Sequence, residues 1–396
     1  MASEAPLVPS TSSTSSSSSA TRALTAQCFC KAVHFTITVP VASLPLGVHL
    51  CACSVCRLTH GSYTCFHAPL PAGVTPQFVA PSSLVGSTTG YRHATARATR
   101  YFCKTCGAHI GDDDFDGDTQ TTPENAEWRV SSSLFDAGLH DDGAPGQAFS
   151  LRTHAMTDSA PSGFHEWLPQ LGNRVLTKWN PKPGDAFYPP DTAKPYSPTT
   201  PEHDDQGREV LRAACHCGGV SFAITRPSDT PNLAEIARES GLRLSSEFPD
   251  RWIGCLDACD DCRLVDGAHV VGWVELPIAA FSPAVPLDFR VGTLTQHRSS
   301  DKALRAFCGV CGATVLFRRT DKGDSLTIDL AGGLLQAPEG VSAHKWVHWR
   351  DGRVIYLPSA ERYHADFANS LKDGFAAWAA KTYGTGEKTI DQKVEA

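Results

Sequence analysis

Apolar positions alternate with polar ones along most of the chain, the two-residue period that puts every second side chain on one face of a β-strand. The stretch "QCFCKAVHFTIT" at 27–38 shows it, with Val33, Phe35 and Ile37 on one face, and "ACHCGGVSFAIT" at 214–225 repeats it without a gap. Short runs of this kind are interrupted by Gly, Pro and Ser. Helical spacing is rare until "ADFANSLKDGFAAWAAKTYG" at 365–384, which predicts a C-terminal helix packed on the second half of the chain.

The repetition goes further. "CRLTHG" at 56–61 returns as "CRLVDG" at 262–267, and "RYFCKTCGAHI" at 100–110 returns as "RAFCGVCGATV" at 305–315. Three anchors in one order mark a duplicated domain. The expected fold class is mainly β, in two tandem domains over 23–179 and 210–386. A Pro-rich linker, 180–209, separates them. The second carries an insertion near 226–252 with one short helix, and polar tails at 1–22 and 387–396 have too little apolar content to order themselves.

The formal charge is −7 with both signs interspersed, which gives no basic footprint for nucleic acid or an anionic membrane. No window of eighteen apolar residues and no secretory pattern occurs, so a cytoplasmic location is expected, with the nucleus still open. In that setting the fifteen cysteines point to metal or catalysis rather than disulfides.

Their spacing sorts them. Cys28, Cys30, Cys103 and Cys106 form a C-x-C plus a C-x-x-C, as do Cys215, Cys217, Cys308 and Cys311. Four thiolates in two close pairs suit a structural zinc; a redox dithiol, the other use of C-x-x-C, lacks its βαβ context here. Three cysteines remain close together in "HLCACSVCRLTH" (49–60): Cys51, Cys53 and Cys56. A strand and the turn after it can bring all three to one ion, and three protein ligands with an exchangeable fourth position is the pattern of catalytic zinc. Closure by His49, His60 or His67, or a trio of metal-free thiols, are the other readings, and Cys65 reads as a core thiol. In the second half Cys259 and Cys262 align with Cys53 and Cys56, while Asp257 stands where Cys51 is. Asp257, or Cys255 two residues back on the same strand face, could complete a mixed site, or none forms.

The order C-x-C, C-x-C-x-x-C-R and F-C-x-x-C-G, read here as "CFC", "CACSVCR" and "FCKTCG", resembles the glutathione-dependent formaldehyde-activating enzyme family, which also includes centromere protein V. The resemblance implies that each domain is a mostly antiparallel, β-tent-like zinc fold, and that the activity is that of a carbon–sulfur lyase that condenses glutathione with formaldehyde or reverses that step. It implies up to two zinc ions per domain: a structural one on Cys28, Cys30, Cys103 and Cys106, with Cys215, Cys217, Cys308 and Cys311 as its counterpart, and a catalytic one on Cys51, Cys53 and Cys56. His154 and His344 lie in segments that look like the family's closing strand and are candidates to lie near the cleft. Arg57, Arg92 and Arg100 could contact ligand carboxylates, although a surface salt bridge is the plainer role for Arg57 and its counterpart Arg263. Two other functions stay open: a non-catalytic, zinc-stabilised interaction module, and the same chemistry on another thiol adduct. The oligomeric state is not readable from the sequence.

Overall fold

The computed structural model describes residues 20–94, 96, 98–114, 126–137, 139–140, 146–185, 196–197, 199–321 and 326–384. The tail at 387–396, nearly all of the tail at 1–22 and part of the linker lie outside them. Thr21 and Arg22, assigned to the tail, instead open the first strand, Thr21–Gln27.

Each half builds a small sheet and a large one, with strands in the same spatial order. In the first half the large sheet runs Thr177–Trp179, Phe149–Ala155, Leu46–Cys51, Cys65–Pro69, Trp128–Ser131, His109–Asp113, Thr99–Cys103, Thr88–Tyr91. In the second, Val347–His348 lies beside Trp252–Asp257, followed by Val271–Pro277, Thr327–Ala331, Thr314–Arg319, Ala303–Cys308 and Leu294–Ser300. The repetition read from three short anchors is matched by the order of seven strands in the two large sheets. One difference from the expected antiparallel sheets appears at the same place in both: Phe149–Ala155 runs parallel to Leu46–Cys51, and Val347–His348 and Val354–Ile355 run parallel to Trp252–Asp257. These strands arrive by long connections, which a parallel pairing requires.

The alternating residues do what their period demands. Val33, Phe35, Ile37 and Val39 are buried, as are Val220, Phe222 and Ile224, and the apolar faces of both halves merge in one continuous core. The helix Ala365–Tyr383 buries Phe367, Leu371, Phe375 and Trp378. Its partners correct the expectation that it packs on the second half alone. Phe375 and Trp378 lie 4.9 and 5.4 Å from the ring of Trp167 in the first half, and Phe375 also meets Trp349 in the second. The helix is a seam element because its apolar stripe is wide enough to touch both.

The halves join by reciprocal contacts. After each C-x-x-C-R turn a short helix, Ser54–His60 or Asp260–Asp266, ends on a left-handed glycine, Gly61 (φ 79°) or Gly267 (φ 76°). The Leu58 carbonyl accepts from the His216 N–H at 3.1 Å, and the Leu264 carbonyl accepts from the Phe29 N–H at 3.2 Å. His216 and Phe29 are the central residues of the two C-x-C turns. Arg57 donates to the carbonyls of Gly333 (2.5 Å) and Leu335 (3.1 Å), and Arg263 donates to Ser133 in the mirror position. Such same-on-same contacts are the signature of a two-fold interface, here within one chain.

The fit at the joint is tight enough to test. A Cβ on Gly267 would lie 2.3 Å from the His109 carbonyl oxygen, whereas one on Gly241, also left-handed (φ 70°), would meet nothing within 4 Å. Gly241→Ala carries only the backbone cost of about 1 kcal/mol. Gly267→Ala adds a collision with backbone and is expected to cost on the order of 3 kcal/mol or more. Thermal unfolding of the two variants side by side measures the difference, and equal shifts would contradict the packed joint.

Candidate metal centres

The four-cysteine groups assemble as the spacing predicts. The sulfurs of Cys28, Cys30, Cys103 and Cys106 lie within 4.8 Å of one another, as do those of Cys215, Cys217, Cys308 and Cys311. Neighbouring sulfurs are 3.6 Å apart in the first group and 3.5 Å in the second. A tetrahedral zinc with Zn–S bonds of about 2.3 Å has edges of roughly 3.8 Å, so the donor set fits that ion with little adjustment. The turns supply hydrogen bonds to sulfur: Val33 N–H donates to Cys28 and Thr105 N–H to Cys103, with Val220 and Gly219 N–H groups serving Cys215 and Cys217. Gly107 (φ 85°) and Gly312 (φ 84°) make the bends of the two C-x-x-C-G turns.

Packing thiols together splits their acidities. Hydrogen bonds from Cys106, then Cys28 and Cys30, hold Cys103 far below the ordinary thiol range, and the bond to Cys103 pushes Cys28 up. In the second group Cys308 is held low, chiefly by Cys215, which is itself pushed up to about 12 by its bond to Cys308. Negative charge thus favours Cys103 and Cys30 in the first group and Cys308 in the second, and a bound dication would release the remaining protons.

The trio also forms. Cys51 ends the strand Leu46–Cys51, Cys53 caps the following helix by accepting from the Cys56 N–H at 3.4 Å, and the three sulfurs lie within 4.8 Å of one another. Hydrogen bonds from Cys51, Cys53 and Cys65 hold Cys56 well below the usual thiol range, with help from the Arg100 charge. Arg100 Nη2 is 4.0 Å from Cys56 Sγ. In the second half Asp257, Cys259 and Cys262 come together in the same way. There Cys259 accepts from the Cys262 N–H at 3.2 Å, Asp257 accepts from the Cys259 N–H at 2.9 Å, and Arg305 approaches Cys262 Sγ at 3.7 and 3.8 Å. Cys255 pairs with Trp273 one step further along the strand and lies outside this group.

Other expected site residues have different surroundings. Arg57 is 3% exposed and its Nη1 donates to two second-half carbonyls; its burial corrects both the surface salt bridge and the carboxylate-binding role expected of it. His154 is buried, and its Nε2 lies 2.8 Å from the Leu168 carbonyl. Its neighbours Ala155 and Met156 are the ones that pack beside the trio. His344 sits by Ser342, and its carbonyl receives a hydrogen bond from Arg251. Arg92 is exposed beyond the strand Thr88–Tyr91. His60 turns Nδ1 to the Cys56 carbonyl at 2.8 Å and His67 pairs with Asp112 at 2.8 Å, so neither is aimed at the trio, and no histidine joins the trio's ligand group among the described residues.

Two residues named in the sequence, Cys65 as a core thiol and Arg100 as a ligand contact, prove to lie against the trio. Cys65 pairs with Cys51 across adjacent strands and shares the trio's apolar cluster; in the second half its place is taken by Val271, opposite Asp257. Arg100 and Arg305 were visible three residues before Cys103 and Cys308, but only the strand direction shows that they reach the trio rather than the four-cysteine group. A cavity of about 500 Å³, lined by Arg290, Arg298 and Arg318 among others, opens on the second half. Arg298 and Arg318 pair with Leu304, so they face away from Arg305 and the trio.

Residues 23–136 match the family model described as glutathione-dependent formaldehyde-activating enzyme. This segment carries the first four-cysteine group and the first trio, and its likeness to that family is a likeness of the first half. The second half lies outside the match and is tied to it by the repeated topology and cysteines. No curated protein matches the chain. No helix among the described residues is long and apolar enough to cross a membrane.

The exchange of a thiolate for a carboxylate has a direct consequence. Asp257→Cys recreates the first trio's donor set, and soft ligands favour Zn²⁺ and Co²⁺. In cobalt-loaded protein the variant is expected to gain thiolate-to-metal absorption and to hold the ion more tightly against a chelator. An unchanged spectrum would mean that Asp257 is not a ligand.

Proposed function

We propose that the protein is a zinc-dependent carbon–sulfur lyase acting on small thiol–aldehyde adducts of the S-hydroxymethylglutathione type, and that the first trio is its working centre. The observation that carries this is the convergence of Cys51, Cys53 and Cys56 in the segment that matches the formaldehyde-activating family, with no histidine among the described residues in the group. A zinc ion on these sulfurs supplies Lewis acidity and a further coordination position suited to a thiolate.

The chain's own residues set the conditions. Cys53 and Cys56 are held rigidly by the helix start, and Cys51 is the least buried of the three, so approach is from its side. Arg100 offsets the excess negative charge of three thiolates. Val55, Ala155 and Met156 form an apolar wall that limits water beside the reacting sulfur. In synthesis the substrate sulfur adds to the carbonyl carbon and the carbonyl oxygen takes up a proton; in cleavage the carbon–sulfur bond breaks, the hydroxyl proton leaves and the aldehyde is released. Holding the thiol and the carbonyl in one orientation replaces a bimolecular encounter. Asp257 and Val271 make the second trio harder and less rich in sulfur, and we assign turnover to the first half alone.

The alternative, a zinc-stabilised interaction module, draws support from the use of both trio helices as fasteners between the halves. Turnover with glutathione and formaldehyde separates the two. Cys53→Ala is expected to lower kcat/KM by at least about 10³-fold while Cys259→Ala stays within a few-fold of the parent. Full activity in Cys53→Ala rules out the lyase centre.

A further inference from the structure

Three histidines from distant parts of the chain, His140, His269 and His364, meet at one side of the joint between the halves. Each offers a ring nitrogen within 4.8 Å of the others, and all are 0 or 1% exposed. Ring centroids are 5.3, 5.8 and 6.2 Å apart. Three imidazoles on one tetrahedral ion at about 2.0–2.1 Å have centroids roughly 5 Å apart, so a small inward movement brings them to ligand distance.

The surrounding hydrogen bonds select the nitrogens. The Tyr363 hydroxyl donates to the Ser132 carbonyl at 2.7 Å, so its oxygen accepts from His140 Nε2–H at 2.6 Å. His140 Nδ1 is then the lone-pair nitrogen, and it has no hydrogen-bond partner among the described residues. Ser133 Oγ lies 2.7 Å from His269 Nδ1, which lets that nitrogen donate and leaves Nε2 with the lone pair and likewise no partner. A metal-binding imidazole is ordinarily held by just such a bond to its other nitrogen. Stacking fixes the rings as well, His269 on Phe66 at 4.2 Å and 6°, and His140 on Phe149 at 5.0 Å and 16°. Burial keeps His140 and His269 well below their usual pKa and therefore neutral, the form that binds metal.

The duplicated half shows what this position looks like without such a group. His269 aligns with Tyr63, which packs on Trp167 at 4.5 Å and Trp349 at 5.7 Å in an apolar cluster. One side of the pseudo-symmetric joint is ordinary aromatic core, and the other concentrates three imidazoles in an equally buried place.

We propose that His140, His269 and His364 form a site for a divalent borderline ion, Zn²⁺ first, that pins the two halves together. His140 comes from the first half and the other two from the second, so the ion bridges the joint. With almost no exposure the site admits no organic substrate, and its fourth ligand is a water, hydroxide or small anion. Three neutral ligands leave the dication's charge in place, and Arg263, stacked on Tyr363 at 3.8 Å, adds to it, which favours an anionic fourth ligand. The absence of sulfur separates this site from every cysteine group.

The direct test is zinc-edge anomalous scattering from crystals of the full chain purified in zinc and dialysed free of excess. A peak among the three histidines, beside those at the cysteine groups, is expected; peaks at the cysteine groups with none here overturn the proposal. Metal analysis gives a second measurement. His269→Phe, which keeps a ring on Phe66, is expected to lose one equivalent of zinc, and in cobalt-loaded protein to lose a component without thiolate charge transfer. Unchanged metal content in a folded variant overturns the site, and if the variant does not fold the anomalous map of the unmodified protein decides alone.

Discussion

The constraint on which the rest depends is the mutual grip between each C-x-C turn and the other half's trio helix. A backbone N–H between two cysteines of one half donates to the last turn of the other half's helix, twice over. The four-cysteine group shapes its turn, the turn holds the partner helix, and that helix carries Cys53 and Cys56 or Cys259 and Cys262. Arg57 and Arg263 reinforce the grip with charged donors to buried carbonyls, each contact of a kind worth about 1.5–3 kcal/mol. The four-cysteine group of one half is thereby packed against the helix that carries the trio sulfurs of the other.

Within a half, the same strand serves both centres. Thr99–Cys103 carries Arg100 at one end and Cys103 at the other, and Ala303–Cys308 does so with Arg305 and Cys308. One rigid element positions a structural ligand and the cation that balances the trio's charge. Precision at the trio comes from packing on a sheet rather than from loop contacts, which is what a preorganised site requires.

Much of this was legible in the chain, and the reason is local. C-x-C and C-x-x-C-G place ligands by covalent spacing, the period-two pattern places strands, and Phe367, Leu371, Phe375 and Trp378 trace a helix. What stayed hidden depended on which surfaces meet. Arg57 looked like a surface residue because nothing local marks it as buried, although its recurrence as Arg263 inside "CRL" was a clue that the position does one job twice. Strand parity does not separate Asp257 from Cys255, since both point to one face; proximity does, for Asp257 lies within reach of the Cys259 and Cys262 sulfurs and Cys255 is outside that group. The three histidines carry no spacing signal at all, because the sheet order and the joint alone bring them together.

A duplicated chain with a two-fold joint is free to differ wherever the joint does not require sameness. Arg57 and Arg263, and Gly61 and Gly267, are the same on both sides, since a change at the arginine would leave buried carbonyls without a donor and one at the glycine would drive a Cβ into the backbone; the backbone bonds of Leu58 and Leu264 to His216 and Phe29 tolerate unlike side chains. The residues that face the trio are not the same: Cys51 stands against Asp257, Cys65 against Val271. Those substitutions alter the metal's chemistry while leaving the helix and its grip intact, so one half can serve mainly as the scaffold that holds the other half's centre in place. The same reasoning applies to the flank of the joint. Tyr63 and His269 occupy matching positions, and either an aromatic cluster or a group of imidazoles fills the space without disturbing the reciprocal hydrogen bonds beside it. Specialisation of the two halves thus follows from the physics of the interface, which fixes the contacts at its centre and leaves the trio and its flanks free to diverge.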